Sequence, residues 1–478
     1  MRGASQLQTQ CKIEKLEFQA EGVRKIEVDF NGGDITSDGG ILLLSQTEES
    51  SKIISQLAEC FIDHRNQNYI EHTKEELLKQ RIYGLALGYE DLNDHDQLRY
   101  DPAIAAAIGK SDPTGKARRR NSDQGKGLAG KSTLNRLELS ANNEKSPDKE
   151  KQFTVDNEII RELFVNLYIQ SHSAPPSEIV LDIDATDDPL HGKQEGRYFH
   201  GYYGNYCYLP LYIFCGDQLL SAELRTSDKD AAVGALEDLK RIIPQIRQSW
   251  PHTKITIRAD GGFCREEIFV WCEANDVKYV IGMSKNDRLK KFLQPQMEQA
   301  KQAYEATSEP SRVFGEFYYK TKNSWSLQRR VIGKAEHLEK GANPRFIVTN
   351  LSRDEYEAKQ LYEQLYCARG EMENRIKEQQ LELFADRLST SKLKSNQLRL
   401  WFSSIAYVMM ETLRRSALNE TEMSQAQCST IRLKLLKIGA IVKVSVRRVY
   451  IGFASGYPFQ SLFIKVYKRL SSLQPCQT

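Results

Sequence analysis

Three carboxylates, Asp184, Asp260 and Glu373, occupy positions suited to metal-assisted chemistry. Asp184 lies at the end of an apolar run, Glu178-Ile-Val-Leu-Asp-Ile-Asp-Ala-Thr186, and Asp260 ends another, Lys254-Ile-Thr-Ile-Arg-Ala-Asp260, followed at once by Gly261-Gly262. Glu373 lies on a helix-patterned segment that begins near Tyr366. Carboxylate oxygens on rigid elements are the ligands that hard divalent cations require, and two such ions can clamp the attacking and leaving oxygens of a phosphodiester. The three are separated by 76 and 113 residues, so only folding can bring them together.

Alternation along 179–186 puts Asp182 and Asp184 on one strand face. A carboxylate within an apolar strand is costly unless paired or metal-bound. For that strand alone, an exposed strand end capping the turn Asp187-Asp188-Pro189 is the better explanation of both residues. The glycines after Asp260 favour the metal reading, because they let a ligand or a DNA backbone approach closely. Tyr366, Arg369, Glu373 and Lys377 recur at helical spacing and share one face. That stripe would suit a metal ligand flanked by phosphate contacts, but taken alone it is better explained as an ordinary salt-bridged surface helix.

The elements that must position these residues follow from the pattern. Up to residue 175 the chain is mainly helical, with a periodic segment at Thr154–Ser171 (Ile159, Ile160, Leu163, Phe164, Leu167 and Tyr168 on one face) and a polar linker over 142–152. From Glu178 the pattern predicts strands at 179–185, 198–203 and 207–215. A helix at 229–247, a strand at 255–260, a helix at 265–275 and a strand at 277–282 follow. This β-β-β-α-β-α-β order is that of a ribonuclease H-like α/β fold with a mixed sheet. Residues 286–350 then read as a β-rich insertion subdomain, 351–417 as the second part of the catalytic core, and 418–478 as a C-terminal extension. On this reading 1–175 is a separate, mainly helical region and 176–285 the first part of the core.

Bulk properties set the outer limits. The 478 residues suffice for two to four domains, 40% of them are apolar, and no run of about 18 apolar residues is present to span a membrane. Nine scattered cysteines without a Cys-x-x-Cys pair favour free thiols in a reducing cytoplasm, and Met1–Gln10 lacks the apolar stretch of a secretory signal. Net charge is only +3, but Gly115–Arg136 holds seven Lys/Arg, Arg118, Arg119, Arg120 and Lys131 among them, against one Asp. Such a run is either a solvated loop or a phosphate contact. Gly125-Lys-Gly-Leu-Ala-Gly130-Lys131-Ser132 also satisfies the phosphate-loop pattern, but the polar residues before it cannot form the buried strand that such a loop needs.

Tyr366-x-x-Arg369-x-x-x-Glu373 resembles the Y-R-E element of bacterial insertion-sequence transposases of the DDE type. Leu181-Asp-Ile-Asp-Ala-Thr-Asp187, Arg258-Ala-Asp-Gly-Gly-Phe263, Arg369-Gly-Glu-Met-Glu-Asn-Arg-Ile-Lys-Glu378 and Leu85-Ala-Leu-Gly-Tyr-Glu-Asp-Leu-Asn-Asp-His-Asp96 are similar to motifs of the insertion sequence 1380 family. The resemblance covers roughly residues 35–460. It implies Asp184, Asp260 and Glu373 as a catalytic triad holding two Mg²⁺ ions, with Mn²⁺ as a substitute. Asp184 is preferred to Asp182 because the family's first motif reads D-x-T. The related pattern has a Lys seven residues after the Glu, where this chain has Gln380, so Lys377 is the candidate substitute. The implied reaction is cut-and-paste transposition: cleavage at transposon ends, then attack of the freed 3′-hydroxyl on target DNA. Trp325 is a candidate to stack on a flipped base at a hairpin step, although a tryptophan packed in the core or on the surface is the better-supported reading. Implied partners are double-stranded DNA, as terminal inverted repeats and target, and a homodimer or larger assembly on it. The implied location is the bacterial cytoplasm, on the nucleoid when DNA-bound, with no membrane. The alternatives are a related nuclease without strand transfer and a non-catalytic DNA-binding descendant.

Overall fold

The computed structural model describes residues 15–18, 22, 24–140 and 152–473. Met1–Gln10 and all but the last residue of the expected linker fall outside these. Helices α1 (Leu42–Ser51) and α2 (Ile53–Glu59) lead to α3 (Lys74–Leu87). Thr73 accepts from Glu76 N while the Glu76 side chain returns to the Thr73 backbone, and Gly88 at φ +96 ends the helix. This reciprocal cap satisfies two N–H groups that a helix start leaves free. Helices α4 (Lys131–Glu138) and α5 (Asn157–Gln170) follow. On α5 the expected apolar face is buried apart from Ile159, which is exposed. Thr154 and Val155 lie before the helix, in a short strand paired with Phe61–Asp63.

Strands β1 (Glu178–Ala185), β2 (Leu211–Cys215) and β3 (Gln218–Glu223) run antiparallel in succession. After α6 (Ala235–Ser249) comes β4 (Lys254–Ala259), and after α7 (Glu266–Ala274) comes β5 (Lys278–Met283). β4 lies parallel to both β1 and β5. Helix α8 (Gln294–Thr307) precedes three long strands, β6 (Ser311–Tyr319), β7 (Arg329–Leu338) and β8 (Arg345–Thr349). Across the sheet the order is β3-β2-β1-β4-β5-β8-β7-β6.

Two expectations need correction. Of the strand expected at 198–203, only Tyr198–His200 forms, and it pairs with Asn205–Tyr208 in a small separate sheet. The run 207–215 is cut at Leu209-Pro210, because proline has no N–H to give a ladder. The unforeseen β3 completes the sheet through the two-residue turn Gly216-Asp217, where Gly216 at φ +57 supplies a left-handed conformation. The strands of 286–350 join the main sheet, where β8 hydrogen-bonds to β5.

Side chains alternate across the strands. Leu181 and Ile183 of β1 therefore fall with Ile257 and Ala259 of β4 in a core shared with Leu239, Ile242, Ile268 and Phe269 of α6 and α7. Asp182, Asp184 and Arg258 take the opposite face. Over that face run the helix α9 (Gly370–Lys377) and the π-helical turns on either side, Leu361–Tyr366 and Glu378–Glu382. Helix α10 (Leu393–Leu413) packs there too, its buried Trp401 donating from Nε1 to Ala222 O at 2.9 Å. The core around α10 draws on residues from Ile41 to Leu470, so the chain before 175 and after 418 closes on a single helix.

Candidate active site

β1 and β4 are parallel neighbours with Ile183 opposite Ala259, which sets Asp184 and Asp260 side by side at the strands' C-terminal ends. Open α/β sheets bind ligands at that edge. Asp260 caps the next turn, accepting from Gly262 N at 2.8 Å, and Asp184 accepts from Ala185 N at 3.0 Å. Two residues back on the same face, Asp182 is held by both ends of the Arg258 guanidinium, at 2.5 and 2.7 Å. Burial raises the Asp182 carboxyl and Arg258 pulls it back. Arg258 also donates to Leu365 O at 2.6 Å, tying the π-helical turn to the strand below it.

That tie delivers the third carboxylate. Arg369 donates to Asp184 Oδ2 at 3.1 Å and to Glu373 Oε1 at 3.0 Å. Burial pushes the Asp184 carboxyl up to about 6, with Arg369 opposing the rise and the negative charges of Asp260 and Glu373 adding to it. Burial works against the Arg369 charge, yet Asp184, Asp260, Tyr366 and Glu373 hold its guanidinium above its ordinary range. The site thus gathers three carboxylates around one cation. Among the described residues the three do not converge within 4.8 Å as a set, and Arg369 bridges two of them. The all-oxygen donor set and the excess negative charge fit hard divalent ions in kind, provided Arg369 yields its place.

A family model described as Transposase DDE domain group 1 matches residues 18–475. The chain belongs to that family. It is a DDE transposase, a DNA-cleaving enzyme of transposition, and such enzymes generally use divalent metal ions. Among solved structures, the cryo-EM structure of the piggyBac transposase synaptic complex with hairpin DNA is similar at 10% identity and a TM-score of 0.41, covering 93% of this chain and 86% of that one. No curated protein matches.

Other residues expected at the transposase site fare differently. Tyr366 stands over the strand end, where a Cβ on Gly282 would lie 2.7 Å from its hydroxyl, so the glycine makes room for it. Lys377 is exposed on α9. Gln380 donates to Asp188 Oδ1 at 2.6 Å and to Asp187 O at 3.1 Å, and so is engaged within the protein. Trp325 is corrected: it is buried, edge-on to Phe269 and Tyr319 with the Arg329 guanidinium over its ring, and offers no free face to a base. Arg118 is corrected too, because it is spent on Glu71, His72 and Lys126 O. Arg119 and Arg120 are exposed, Arg119 lying over Tyr69 and donating to Asn68 O. At the start of α4, Lys131 N donates to Asp96 Oδ1 at 3.1 Å, so a carboxylate already fills the place a phosphate would take.

The sequence reading missed Arg258, Lys285 and Arg345. The last two line a cleft with Asp260, Gly261, Tyr202 and Tyr366. A cation inside an apolar strand was the available signal for Arg258, since such a charge needs a buried partner. Lys285 and Arg345 come from strand ends that become neighbours only on folding. No helix among the described residues is long and apolar enough to cross a membrane. The seven cysteines in them are all free.

Proposed function

We propose that this transposase cleaves transposon ends and transfers the freed 3′-hydroxyl to target DNA, using Asp184, Asp260 and Glu373 on a ribonuclease H-like core of the insertion sequence 1380 kind. The observation that carries the reading is the pairing of Asp184 with Asp260 at adjacent ends of parallel strands, with Glu373 joined to Asp184 through Arg369. Supporting the fold assignment is the order third-second-first-fourth-fifth of the strands β1 to β5, in which the second alone runs opposite to the other four. The core comprises 176–285 and 351–417, and the strands of 286–350 widen its sheet. Residues 1–175 supply helical DNA-binding or dimerisation surface, and 418–478 an extension.

Mg²⁺ ions, or Mn²⁺ in their place, would supply Lewis-acid stabilisation of charge on the attacking and leaving oxygens. The protein's own part is positioning. Asp184 and Asp260 are fixed by their strands and by backbone N–H groups, so they need little reorganisation. Arg369 neutralises the carboxylates until DNA enters, then turns its guanidinium to a non-bridging phosphate oxygen. Tyr366 orients the same phosphate across the glycine-lined strand end, and exposed Lys377 contacts the backbone beyond. Arg119 and Arg120 serve the flanking duplex, whereas the Lys131 ammonium is engaged by Asp96 and Asn93. Joining two ends requires a dimer or larger assembly on double-stranded DNA, acting in the cytoplasm at the nucleoid. The test of strand transfer is to incubate a pre-cleaved terminal-repeat duplex, a supercoiled plasmid and Mn²⁺. The expected product is a covalent end–plasmid joint, absent when the 3′ terminus is dideoxy. Cleavage of intact ends without any joint would instead favour a nuclease.

A further inference from the structure

After Glu422 the chain changes character. Its remaining 56 residues contain nine Lys/Arg and no Asp or Glu, whereas the 422 before them contain 58 Lys/Arg against 64 Asp/Glu. Several of the nine cations are used internally. Arg432 donates to the carbonyls of Leu85, Ala86 and Glu382; Lys437 pairs with Asp38; Arg469 binds Asn419 and Glu420. Three cations stand apart on the hairpin of β9 (Ala440–Val444) and β10 (Val449–Phe453): Lys443, Arg447 and Arg448. All three are exposed, and among the described residues their side chains have no ion-pair or hydrogen-bond partner.

The hairpin presents them deliberately. Lys443 lies opposite Tyr450 and Ile441 opposite Gly452, so Ile441, Lys443 and Tyr450 share the outward face. Tyr450 and Ile441 are half-exposed, and Val446 at the tip is fully exposed. The inward residues Ala440 and Val442 are buried, and Phe453 stacks edge-on against Phe463 of the C-terminal helix α11 (Gln460–Ser472). The tip is closed by Ser445, which accepts from Arg448 N, leaving both arginine side chains free.

The base of the hairpin is locked to the helix that carries Glu373. Glu378 and Glu382, in the π-helical turn directly after α9, accept from Cys428 N at 2.7 Å and Ser429 N at 2.6 Å. Fully buried Glu378 also binds Arg375 and Arg414. Residues 428–436 then run as a helical segment into β9. The Glu378–Glu382–Cys428 grouping is thus a charged cap that fixes one element on another.

We propose that the hairpin Ala440–Phe453 grips the sugar–phosphate backbone of duplex DNA, through Lys443, Arg447 and Arg448, at a fixed distance from the Glu373 helix. The proposal rests on the reading of this chain as a DNA-cutting enzyme. Guanidinium and ammonium groups without an ion-pair partner among the described residues, on a rigid ribbon, suit phosphates, and the contact is independent of sequence. Exposed Tyr450 and Val446 would rest against sugars.

The test is fluorescence anisotropy of a 40-bp mixed-sequence duplex with the full chain, in EDTA to prevent cutting, across 50–200 mM salt. Each phosphate contact contributes about 0.9 to the slope of log affinity against log salt. The Lys443→Ala/Arg447→Ala/Arg448→Ala variant is expected to lose 2 to 3 of that slope and at least about tenfold in affinity at the lowest salt. Arg447→Lys/Arg448→Lys should retain both. A triple variant with unchanged melting temperature, slope and affinity overturns the hairpin contact while leaving the transposase reading intact. Wild-type protein without salt-dependent binding overturns both.

Discussion

At the scale of single residues, Asp182 and Asp184 differ by their partners. The nearly buried Asp182–Arg258 pair positions the turn above it, and breaking it leaves a buried charge alone. Arg258→Met is therefore expected to cost about 3–5 kcal/mol in urea unfolding, and Asp182→Leu/Arg258→Met together distinctly less. Arg369 is the counter-charge of the site. Arg369→Ala should bind Mn²⁺ several-fold more tightly by calorimetry, because Asp184 and Glu373 lose the cation that bridges them, and yet cleave DNA poorly. Weaker Mn²⁺ binding would mean that Arg369 organises the ligands instead of competing with the ion. Mg²⁺ should raise the melting temperature of the wild type but not of Asp184→Asn, since a ligand of the folded state alone stabilises it.

At the scale of elements, much of the site was legible because its carriers are strongly patterned. Val/Ile-rich runs ending in Asp184 and Asp260 are strands in the structure, and the stripe Tyr366–Arg369–Glu373 is helical. What escaped was long-range pairing. Nothing near Tyr198 indicates that it leaves the sheet, and nothing near Gln218 indicates that it joins; the Leu209-Pro210 break and the Gly216 turn decide both. For Trp325 the core alternative holds and the stacking role falls, although an indole in a polar loop, Lys322-Asn-Ser-Trp325, gives no sign of the aromatic nest it enters. Gly282 shows how closely the elements fit. A Cβ there would meet Tyr366 Oη at 2.7 Å and Gly261 N at 2.9 Å. Gly282→Ala should destabilise by about 1–3 kcal/mol and depress cleavage, and Tyr366→Phe in that background should recover part of the stability. Equal stability of Gly282→Ala and wild type would show that the π-helical turn is not seated on the strand.

At the scale of the whole molecule, the site depends on helices far from it in sequence, since α10 joins the sheet to α1 and α3. That core contains His95, whose imidazole burial pushes down to about 3. The unfolded chain therefore binds a proton that the folded chain refuses. The contribution of His95 to stability is complete above about pH 6.5 and is lost progressively as pH falls toward 3. His95→Gln should flatten the acid limb of a melting-temperature profile between pH 6.5 and 4, and an unchanged limb would place the acid sensitivity elsewhere. His72, likewise pushed down to about 3 mainly by burial, acts in the same direction. The central claim, however, is that three distant carboxylates act as one site. Its most direct test is cleavage of a labelled terminal-repeat duplex in Mg²⁺ or Mn²⁺ by wild type and by Asp184→Ala, Asp260→Ala and Glu373→Ala. The account predicts metal-dependent nicking by the wild type, with each variant folded, DNA-bound and reduced at least about a thousandfold. A variant that cuts like the wild type would contradict it.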